Sequence, residues 1–323
     1  MKKLAIILLA VCCAGCCAAL EIDNIFESGK RDLSAFDRNK LVTVMATGNV
    51  MLGRGVLEKM SSRFDYGLPF RKMASVLRRA DISMVNLVSP LVPEQMLKEK
   101  GGDFSAYDGA LEGLELAEVD VVNMANREIM DSGEEGMFYT KELLAANRFK
   151  FFDEEDIAIM ESKGSRFAFV GFSFAYPGLT LEQAVTKVRY ARQKMKADVI
   201  VAGVNFGAQY SGRPDLTQRI IARTLIDAGA DLIVGNYSQY VQGVEIYKNK
   251  LITYSHGNFI VDDADYARTG VGVIGRYTFY NNEIVDASFV PVEIKSDFQP
   301  DIAGDSLSRA VLAHMKKTSE ISR

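Results

Sequence analysis

The sequence predicts an α/β fold in which two β-sheets lie between layers of helices in a single domain. Most candidate strands are near-continuous apolar runs, which are typical of strands covered on both faces, and up to about Tyr240 they alternate with segments of helical periodicity. After Tyr240 short polar turns separate the segments, as in antiparallel sheets. The 323 residues show no internal repeat, and one domain is the simplest account.

Seven apolar segments are predicted as parallel strands. They are 42–47, 82–87, 119–124, 167–172, 199–204, 232–234 and 251–254. Later segments are predicted as antiparallel strands of a second sheet, with turns at Lys248-Asn249 and Asn281-Asn282. These segments are 240–249, 250–255, 271–281 and 284–294. A last helix is expected near 307–315.

Helix start signals lie between the predicted strands. In a capping box, a hydroxyl or carboxylate side chain and a Glu or Gln three residues later bond each other's backbone N–H groups. The pattern is present at Ser132 with Glu135 and at Thr180 with Gln183. The first helix would run to about Asn147. Asp215 can cap a third helix, which Gly229 would end.

All four cysteines lie near the N-terminus, at Cys12, Cys13, Cys16 and Cys17. They stand at or after the end of the apolar run 4–14, which follows Lys2 and Lys3 and is too short to span roughly 30 Å of hydrocarbon. Ala14-Gly15-Cys16 is similar to a bacterial lipoprotein signal, in which Cys16 would carry the lipid. The alternative is an ordinary secretory signal cleaved near Ala18-Ala19.

The expected organisation follows from these patterns. Residues 1–16 are a lipoprotein-type signal peptide, 17–39 a tether, 40–296 the folded domain and 297–323 a C-terminal helix and tail. The protein is expected to cross the inner membrane and to be anchored at the cell envelope by its lipid; the alternative is a periplasmic or secreted soluble protein. The formal charge of −4, without a cluster of Lys and Arg, gives no nucleic-acid partner.

Polar residues follow the predicted strands. Because the carboxyl ends of parallel strands meet at one edge of a sheet, a ligand-binding cleft is expected there. The candidate cleft residues are Asn49, Arg54, Asn86, Asn126, Arg127, Glu128, Asp131, Asn205, Asn236, His256 and Asn258.

Six short blocks carry these residues. They read Gly-Asn-Val-Met-Leu-Gly-Arg at 48–54, Asn-Leu-Val-Ser-Pro at 86–90, Ala-Asn-Arg-Glu at 125–128 with Asp-Ser-Gly at 131–133, Asn-Phe-Gly at 205–207, Gly-Asn-Tyr-Ser-Gln at 235–239 and Tyr-Ser-His-Gly-Asn-Phe at 254–259. From about residue 42 to 260 the chain is similar to the CapA family of capsule-synthesis proteins, which has a leucine at the position of His256. The resemblance implies a metallophosphoesterase-like four-layer α/β/β/α sandwich.

The chain departs from that family where the presumed metal ligands stand. An Asp is replaced by Asn49, a Glu by Val88, and histidines by Glu128, Asn205, Asn236 and Gln239. A hydrolytic two-metal centre needs carboxylate and imidazole ligands, whereas amides offer only neutral carbonyl oxygens. Arg127 would place a permanent cation beside the metal ions. No metal ligand, cofactor or catalytic residue is therefore predicted.

Several residues have two interpretations. Glu128 and Asp131 could act as an acid–base pair or as oxygen ligands for a hard ion, but pairing with Arg127 or capping of the following helix is the more common role. Arg127 itself could anchor a carboxylate or phosphate of a ligand. The asparagines could line the cleft or satisfy turn backbones. His256 could be a catalytic base, although a lone histidine at a strand end is more often structural.

The sequence therefore indicates a non-catalytic, envelope-anchored protein that binds or supports the handling of an anionic surface polymer. The resemblance implies a role in capsule or poly-γ-glutamate assembly, with the polymer or its biosynthetic machinery as partner and the membrane reached through the lipid. The alternatives are a hydrolase with an oxygen-ligand metal site built from Glu128, Asp131 and the asparagines, and a structural surface lipoprotein without a ligand.

Overall fold

The computed structural model describes residues 20–26, 32–263 and 268–319. The helices are α1 (Ile22–Phe26), α2 (Arg54–Arg63), α3 (Ala74–Leu77), α4 (Glu94–Lys100), α5 (Leu111–Leu116), α6 (Gly133–Ala146), α7 (Leu181–Gln193), α8 (Leu216–Ala228) and α9 (Asp305–Ser319). The strands are β1 (Leu41–Val50), β2 (Ile82–Leu87), β3 (Leu91–Val92), β4 (Ala106–Tyr107), β5 (Val121–Asn123), β6 (Lys150–Phe152), β7 (Ile157–Ser162), β8 (Ser165–Ser173), β9 (Val199–Asn205), β10 (Leu232–Asn236), β11 (Val244–Tyr247), β12 (Lys250–Thr253), β13 (Asn258–Ile260), β14 (Val271–Tyr280), β15 (Glu283–Ile294) and β16 (Pro300–Ile302).

The strands form two large mixed sheets and one small one. The first sheet has the order β16-β15-β14-β1-β2-β5-β6, and β13 pairs with the end of β1. The second sheet has the order β11-β12-β10-β9-β8-β7. In the first sheet β1, β2, β5 and β6 are parallel, and in the second β8, β9, β10 and β12 are parallel. β3 and β4 pair separately.

Three apolar clusters place the sheets and helices in four layers. One cluster joins the two sheets, with Val44 and Met84 facing Phe169 and Val201. A second lies between the first sheet and its helices and includes residues of α2, α3, α5 and α6. A third lies between the second sheet and the helices α7 and α8. The predicted four-layer α/β/β/α sandwich is confirmed.

The late antiparallel strands correct one expectation. They do not form a sheet of their own: β11 and β12 extend the edge of the second sheet, whereas β14, β15 and β16 extend the first. Both predicted turns are present, and each holds two residues with left-handed φ, Lys248 and Asn249 in one hairpin and Asn281 and Asn282 in the other. Such two-residue turns match the twist of a hairpin.

The helix caps follow the sequence at two of three sites. Thr180 with Gln183, and Asp215 with Gln218, form complete capping boxes. The box predicted at Ser132 and Glu135 is absent. Ser132 precedes α6 as expected, but its Oγ lies 2.6 Å from Ser105 Oγ and makes no cap hydrogen bond.

The N- and C-terminal helices pack together beside the sandwich. α9 is longer than the predicted 307–315, and it packs with α1 and β15. Within the segment expected to be a tether, Ile25 is buried and Phe26 stacks on Phe289 at 5.9 Å. In the described part of the chain no helix has the length and apolarity that a membrane span requires. Cys16 lies outside the described residues.

Candidate functional site

An uninterrupted series of asparagine amides crosses the carboxyl edge of the first sheet. Asn123 Nδ2 donates to Asn86 Oδ1 at 2.8 Å, and Asn86 Nδ2 donates to Asn49 Oδ1 at 2.8 Å. Asn49 Nδ2 then donates to Asn258 Oδ1 at 3.0 Å, and Asn258 Nδ2 donates to the Thr269 carbonyl. We call Asn123, Asn86, Asn49 and Asn258 the amide ladder.

Strand register accounts for the ladder. Asn86 pairs with Asn49 on one side and with Asn123 on the other, and Asn258 lies beside Asn49 on β13. Equivalent positions of neighbouring parallel strands point their side chains the same way, about 4.8 Å apart, so amides can bond in sequence. All four are buried. The ladder therefore ties four strand ends together in the interior.

A fifth asparagine connects the ladder with the second sheet. Asn205, the last residue of β9, donates to the Ala125 carbonyl at 2.5 Å and lies 3.5 Å from Asn86 Oδ1. Asn126 has a separate role, because its Nδ2 donates to the Leu87 carbonyl and its Oδ1 accepts from the Ile129 backbone N–H. Asn126 thus fixes the loop after β5.

The side chains of the amide ladder are unsuitable ligands for the metal centre that the fold family implies. Three ladder oxygens, on Asn86, Asn49 and Asn258, already accept hydrogen bonds from neighbouring amides. Neutral amide oxygens also offset none of the charge of a divalent ion. Among the described residues, no three His, Cys, Asp or Glu side chains lie close enough to share an ion.

A cleft of about 170 Å³, the central cleft, opens over the ladder. Its polar lining includes Asn49, Arg54, Glu128, Asn205, Tyr210, Tyr237, Gln239 and Asn258. Arg54 forms salt bridges with Asp262 at 2.5 Å and Asp263 at 3.2 Å, and its guanidinium lies 5.5 Å from the Phe104 ring centre. The positive charge of Arg54 is therefore shared with two carboxylates.

Four residues that line the central cleft have left-handed backbone conformations. Arg54, Tyr210, Tyr237 and Gln239 all line it and all have φ between 46° and 87°. Non-glycine residues enter this left-handed region at a cost of order 1 kcal/mol each, and such residues cluster at binding sites.

Tyr176 lines a second space and bonds two residues of the central cleft, Glu128 and Tyr237. Its hydroxyl donates to Glu128 Oε1 at 3.3 Å and accepts from Tyr237 at 3.4 Å. Burial, with these two neighbours, raises the pKa of the Tyr176 hydroxyl well above its ordinary value. The Arg127 guanidinium lies 4.8 Å from the centre of the Tyr176 ring.

The second space, the side cavity, has a volume of about 490 Å³. Its polar lining includes Asn126, Arg127, Lys141, Asp153, Glu154, Glu155, Ser173 and Tyr176. Arg127 is exposed and, in the part of the chain that the structure describes, forms no salt bridge. The expected internal pair with Glu128 or Asp131 is therefore wrong.

Asp131 does not reach the central cleft. Its Oδ2 accepts from the backbone N–H groups of Phe104 and Ser105, at 2.7 and 2.9 Å, and from Ser105 Oγ at 2.9 Å. Asp131 therefore fixes the loop before β4. It cannot form an acid–base pair with Glu128, whose carboxylate bonds Tyr176.

His256 is also placed away from the central cleft. It is fully buried between the sheets, where Nε2 accepts from the Tyr277 hydroxyl at 2.8 Å and Nδ1 lies 3.2 Å from the Ala46 carbonyl. Because that carbonyl can only accept, Nδ1 carries the proton. Burial lowers the pKa of His256 to about 4. This placement corresponds to the structural role of His256 and not to that of a catalytic base in the cleft.

Two further strand ends carry buried polar groups without hydrogen-bond partners among the described residues. They are both amide atoms of Asn236 and the hydroxyl of Ser173. Ser173, Asn205 and Asn236 occupy one register across β8, β9 and β10. Asn236 is fully buried and lines neither the central cleft nor the side cavity, whereas Ser173 lines the side cavity.

Sequence reasoning missed Asn123, Ser173 and Tyr176. Asn123 had a readable signal, because Val122-Asn123 repeats the Val85-Asn86 pair of β2 and the Val204-Asn205 pair that ends β9. Tyr176 had none, since it lies in a loop whose position depends on distant residues.

Comparisons with known proteins agree with this geometry. The chain is 27% identical over 290 residues to the capsule biosynthesis protein CapA of Bacillus anthracis, covering 80% of this chain and 68% of that protein. It is 25% identical over 294 residues to the PGA biosynthesis protein CapA of Bacillus subtilis strain 168, covering 84% and 77%. A hypothetical protein from Thermus thermophilus superposes with a TM-score of 0.51 at 14% identity, over 78% of this chain and 99% of that chain, which supports the fold alone.

The four layers, with a polar cleft at the carboxyl edge, define the class as a four-layer α/β/β/α sandwich. Residues 43–263 match the family described as bacterial capsule synthesis protein PGA_cap. Because the match covers more than half of the chain, the protein belongs to that family.

Proposed function

We propose that this protein takes part in the assembly of a capsule or a poly-γ-glutamate-like surface polymer as a binding protein without metal-dependent catalysis. The observation that carries the proposal is the amide ladder. Asn49 stands where the family pattern has an Asp, and its amide is bonded to Asn86 and Asn258, so an ion there would compete with these hydrogen bonds for neutral oxygens. Asn205 stands where the pattern has a His, and its Nδ2 donates to the Ala125 carbonyl.

Arg127 supports the binding role. It is an exposed guanidinium with no carboxylate partner in the described chain, and the Tyr176 ring holds it at the rim between the central cleft and the side cavity. A guanidinium in this position can grip a carboxylate with two parallel hydrogen bonds. An anionic polymer crossing this rim would meet Arg127 first.

Envelope anchoring through Cys16 remains part of the proposal. It rests on the cysteine cluster after the apolar run 4–14, which lies outside the described residues. The hydrolase alternative gains no support, because Glu128 and Asp131 point to different partners.

Metal analysis and a binding assay test the two halves of this proposal. Purified protein should contain less than one Zn, Mn or Fe per chain and should not hydrolyse a generic phosphodiester. Fluorescently labelled polyglutamate should bind, and Arg127→Ala should weaken that binding roughly tenfold or more, the loss expected for one charge-assisted hydrogen bond. Added salt should weaken binding of the wild type.

Arg189→Ala is the matched control, since it removes an equal charge from an exposed position of α7. Equal losses for the two variants would mean that binding is non-specific. A stoichiometric metal ion, lost in Glu128→Gln, would contradict the non-catalytic half.

A further inference from the structure

The side cavity has the size of a small-molecule site. At about 490 Å³ it lies within the range of 300–1,000 Å³ typical of ligand pockets. It is bounded by the loop after β5, by α6, by the turn between β6 and β7, and by the loop after β8. It is distinct from the central cleft.

One end of the side cavity is positive. Arg127 reaches it from the loop after β5 with its guanidinium over the Tyr176 ring. Lys141 also lines the cavity, but its ammonium is held by Asp153 at 2.5 Å and Asp156 at 2.8 Å. The cation available to a ligand is therefore Arg127.

The turn between β6 and β7 gives the side cavity a negative and rigid wall. Glu154 and Glu155 stand at the tip of the turn between β6 and β7, and neither forms a salt bridge within the described ranges. Asp153 Oδ1 accepts from the backbone N–H groups of Glu155 and Asp156 at 2.8 and 2.7 Å, which closes the turn. Lys187 Nζ donates to the backbone carbonyls of Asp153 and Asp156, and these two hydrogen bonds stabilise the turn.

The floor offers an unused hydrogen-bonding group. Ser173 is only 5% exposed, and its Oγ has no partner among the described residues although it borders the cavity. On the same face of β8, a Cβ at Gly171 would lie 2.6 Å from Ala125 Cβ and 2.8 Å from the Asp153 carbonyl oxygen. Ser173 thus lies between the strand that leads to Arg127 and the acidic turn. A buried hydroxyl without a partner is unfavourable, and a hydrogen bond to a ligand would remove that cost.

The remaining wall is apolar. Met130, Met137 and Leu179 line the cavity and stay partly exposed. Methionine side chains adapt to aliphatic groups of different shape. The wall therefore favours a ligand with an aliphatic side chain over one with a charged side chain.

We propose that the side cavity binds a free α-amino acid with an aliphatic side chain. Its carboxylate is held by Arg127, its ammonium by Glu154 or Glu155, one of its polar groups by Ser173 Oγ, and its side chain by the methionine wall. The proposal shares Arg127 with the polymer-binding role but does not rest on it, because the acidic turn borders the side cavity and not the central cleft.

Isothermal titration of the full chain with leucine tests the proposal. Leucine should bind, and N-acetyl-leucine and leucinamide should each bind at least about tenfold more weakly, because each lacks one of the two charges. Glycine should also bind more weakly, since it lacks the apolar contacts. No heat or thermal stabilisation with leucine up to about 10 mM, or equal binding of the blocked derivatives, would overturn the assignment.

Variants assign the contacts. Glu154→Gln combined with Glu155→Gln should weaken leucine binding about tenfold without weakening polyglutamate binding, which keeps the two proposals separable. Ser173→Ala should weaken leucine binding while leaving the melting temperature of the free protein unchanged or raised, because it removes a buried hydroxyl with no partner among the described residues. Glu142→Gln, on the exposed side of α6, is the control. Unchanged leucine binding in both site variants would overturn the proposed geometry.

Discussion

Acidification from pH 6.5 towards pH 4 should destabilise this protein through His256. In the unfolded chain the imidazole takes up a proton near its ordinary pKa of 6.5, whereas in the folded protein burial lowers the pKa to about 4. Between these values the unfolded state binds more protons, so the free energy of unfolding falls as the pH falls. Above about pH 6.5 the imidazole is neutral in both states and contributes no slope.

The size of the effect follows from the same two values. Each pH unit between them costs up to about 1.4 kcal/mol, so the loss reaches about 3 kcal/mol at pH 4. That is a large part of the 5–15 kcal/mol that separates most folded domains from their unfolded states. The burial is complete, so water does not screen the effect.

Urea unfolding at several pH values between about 4 and 7.5 measures this slope. His256→Leu, which restores the residue of the family pattern, removes the titrating group, and the difference in unfolding free energy between wild type and variant should change by about 1.4 kcal/mol per pH unit. Tyr277→Phe is the control, because it removes the partner of Nε2 at 2.8 Å but keeps a buried imidazole, so its slope should persist. Parallel curves for wild type and His256→Leu would refute the reasoning.

Three further predictions concern the strand ends and the N-terminus. Asn86→Ala should lower the unfolding free energy by about 2 kcal/mol more than Asn236→Ala. The reason is that Asn86→Ala leaves two buried amide partners without a hydrogen bond, whereas Asn236 bonds none of the described residues. Equal losses in urea unfolding would contradict this. Gly48→Ala should prevent stable folding, because its Cβ would clash with the Gly257 carbonyl, while Gly304→Ala, with nothing within 4 Å, should be neutral in thermal melts. Radiolabelled palmitate should enter the wild type and not Cys16→Ser, and equal labelling would exclude Cys16.

Local patterns predicted local structure. The capping box of Thr180, the helix cap at Asp215 and the turns at Lys248 and Asn281 depend on residues within a few positions of one another, and all are present. The predicted capping box at Ser132 does not form, because its hydroxyl bonds Ser105, which lies 27 positions away in the chain.

The sequence did not predict how distant elements are placed relative to one another. A hairpin pattern shows that β14 and β15 pair, but it does not state which sheet edge they join. The prediction that His256 lines the cleft was wrong for a related reason: Gly257, with a φ of 70°, interrupts the extended backbone after His256, so the position of a residue after a strand does not fix the side to which its side chain points. Asn258, two residues later, reaches the ladder.

The amide ladder also constrains how this lineage can change. Asn49→Asp would restore one charged residue of the family pattern, but the new carboxylate oxygen would face Asn258 Oδ1, which now accepts from Asn49 at 3.0 Å. Two acceptors in contact, one of them a buried charge, are unfavourable until a cation arrives, and one aspartate alone does not hold a cation. Asn49→Asp alone should therefore be less stable than the present protein. The amide ladder therefore disfavours a stepwise return to a charged metal site, because the first restored carboxylate lowers stability before any cation can bind.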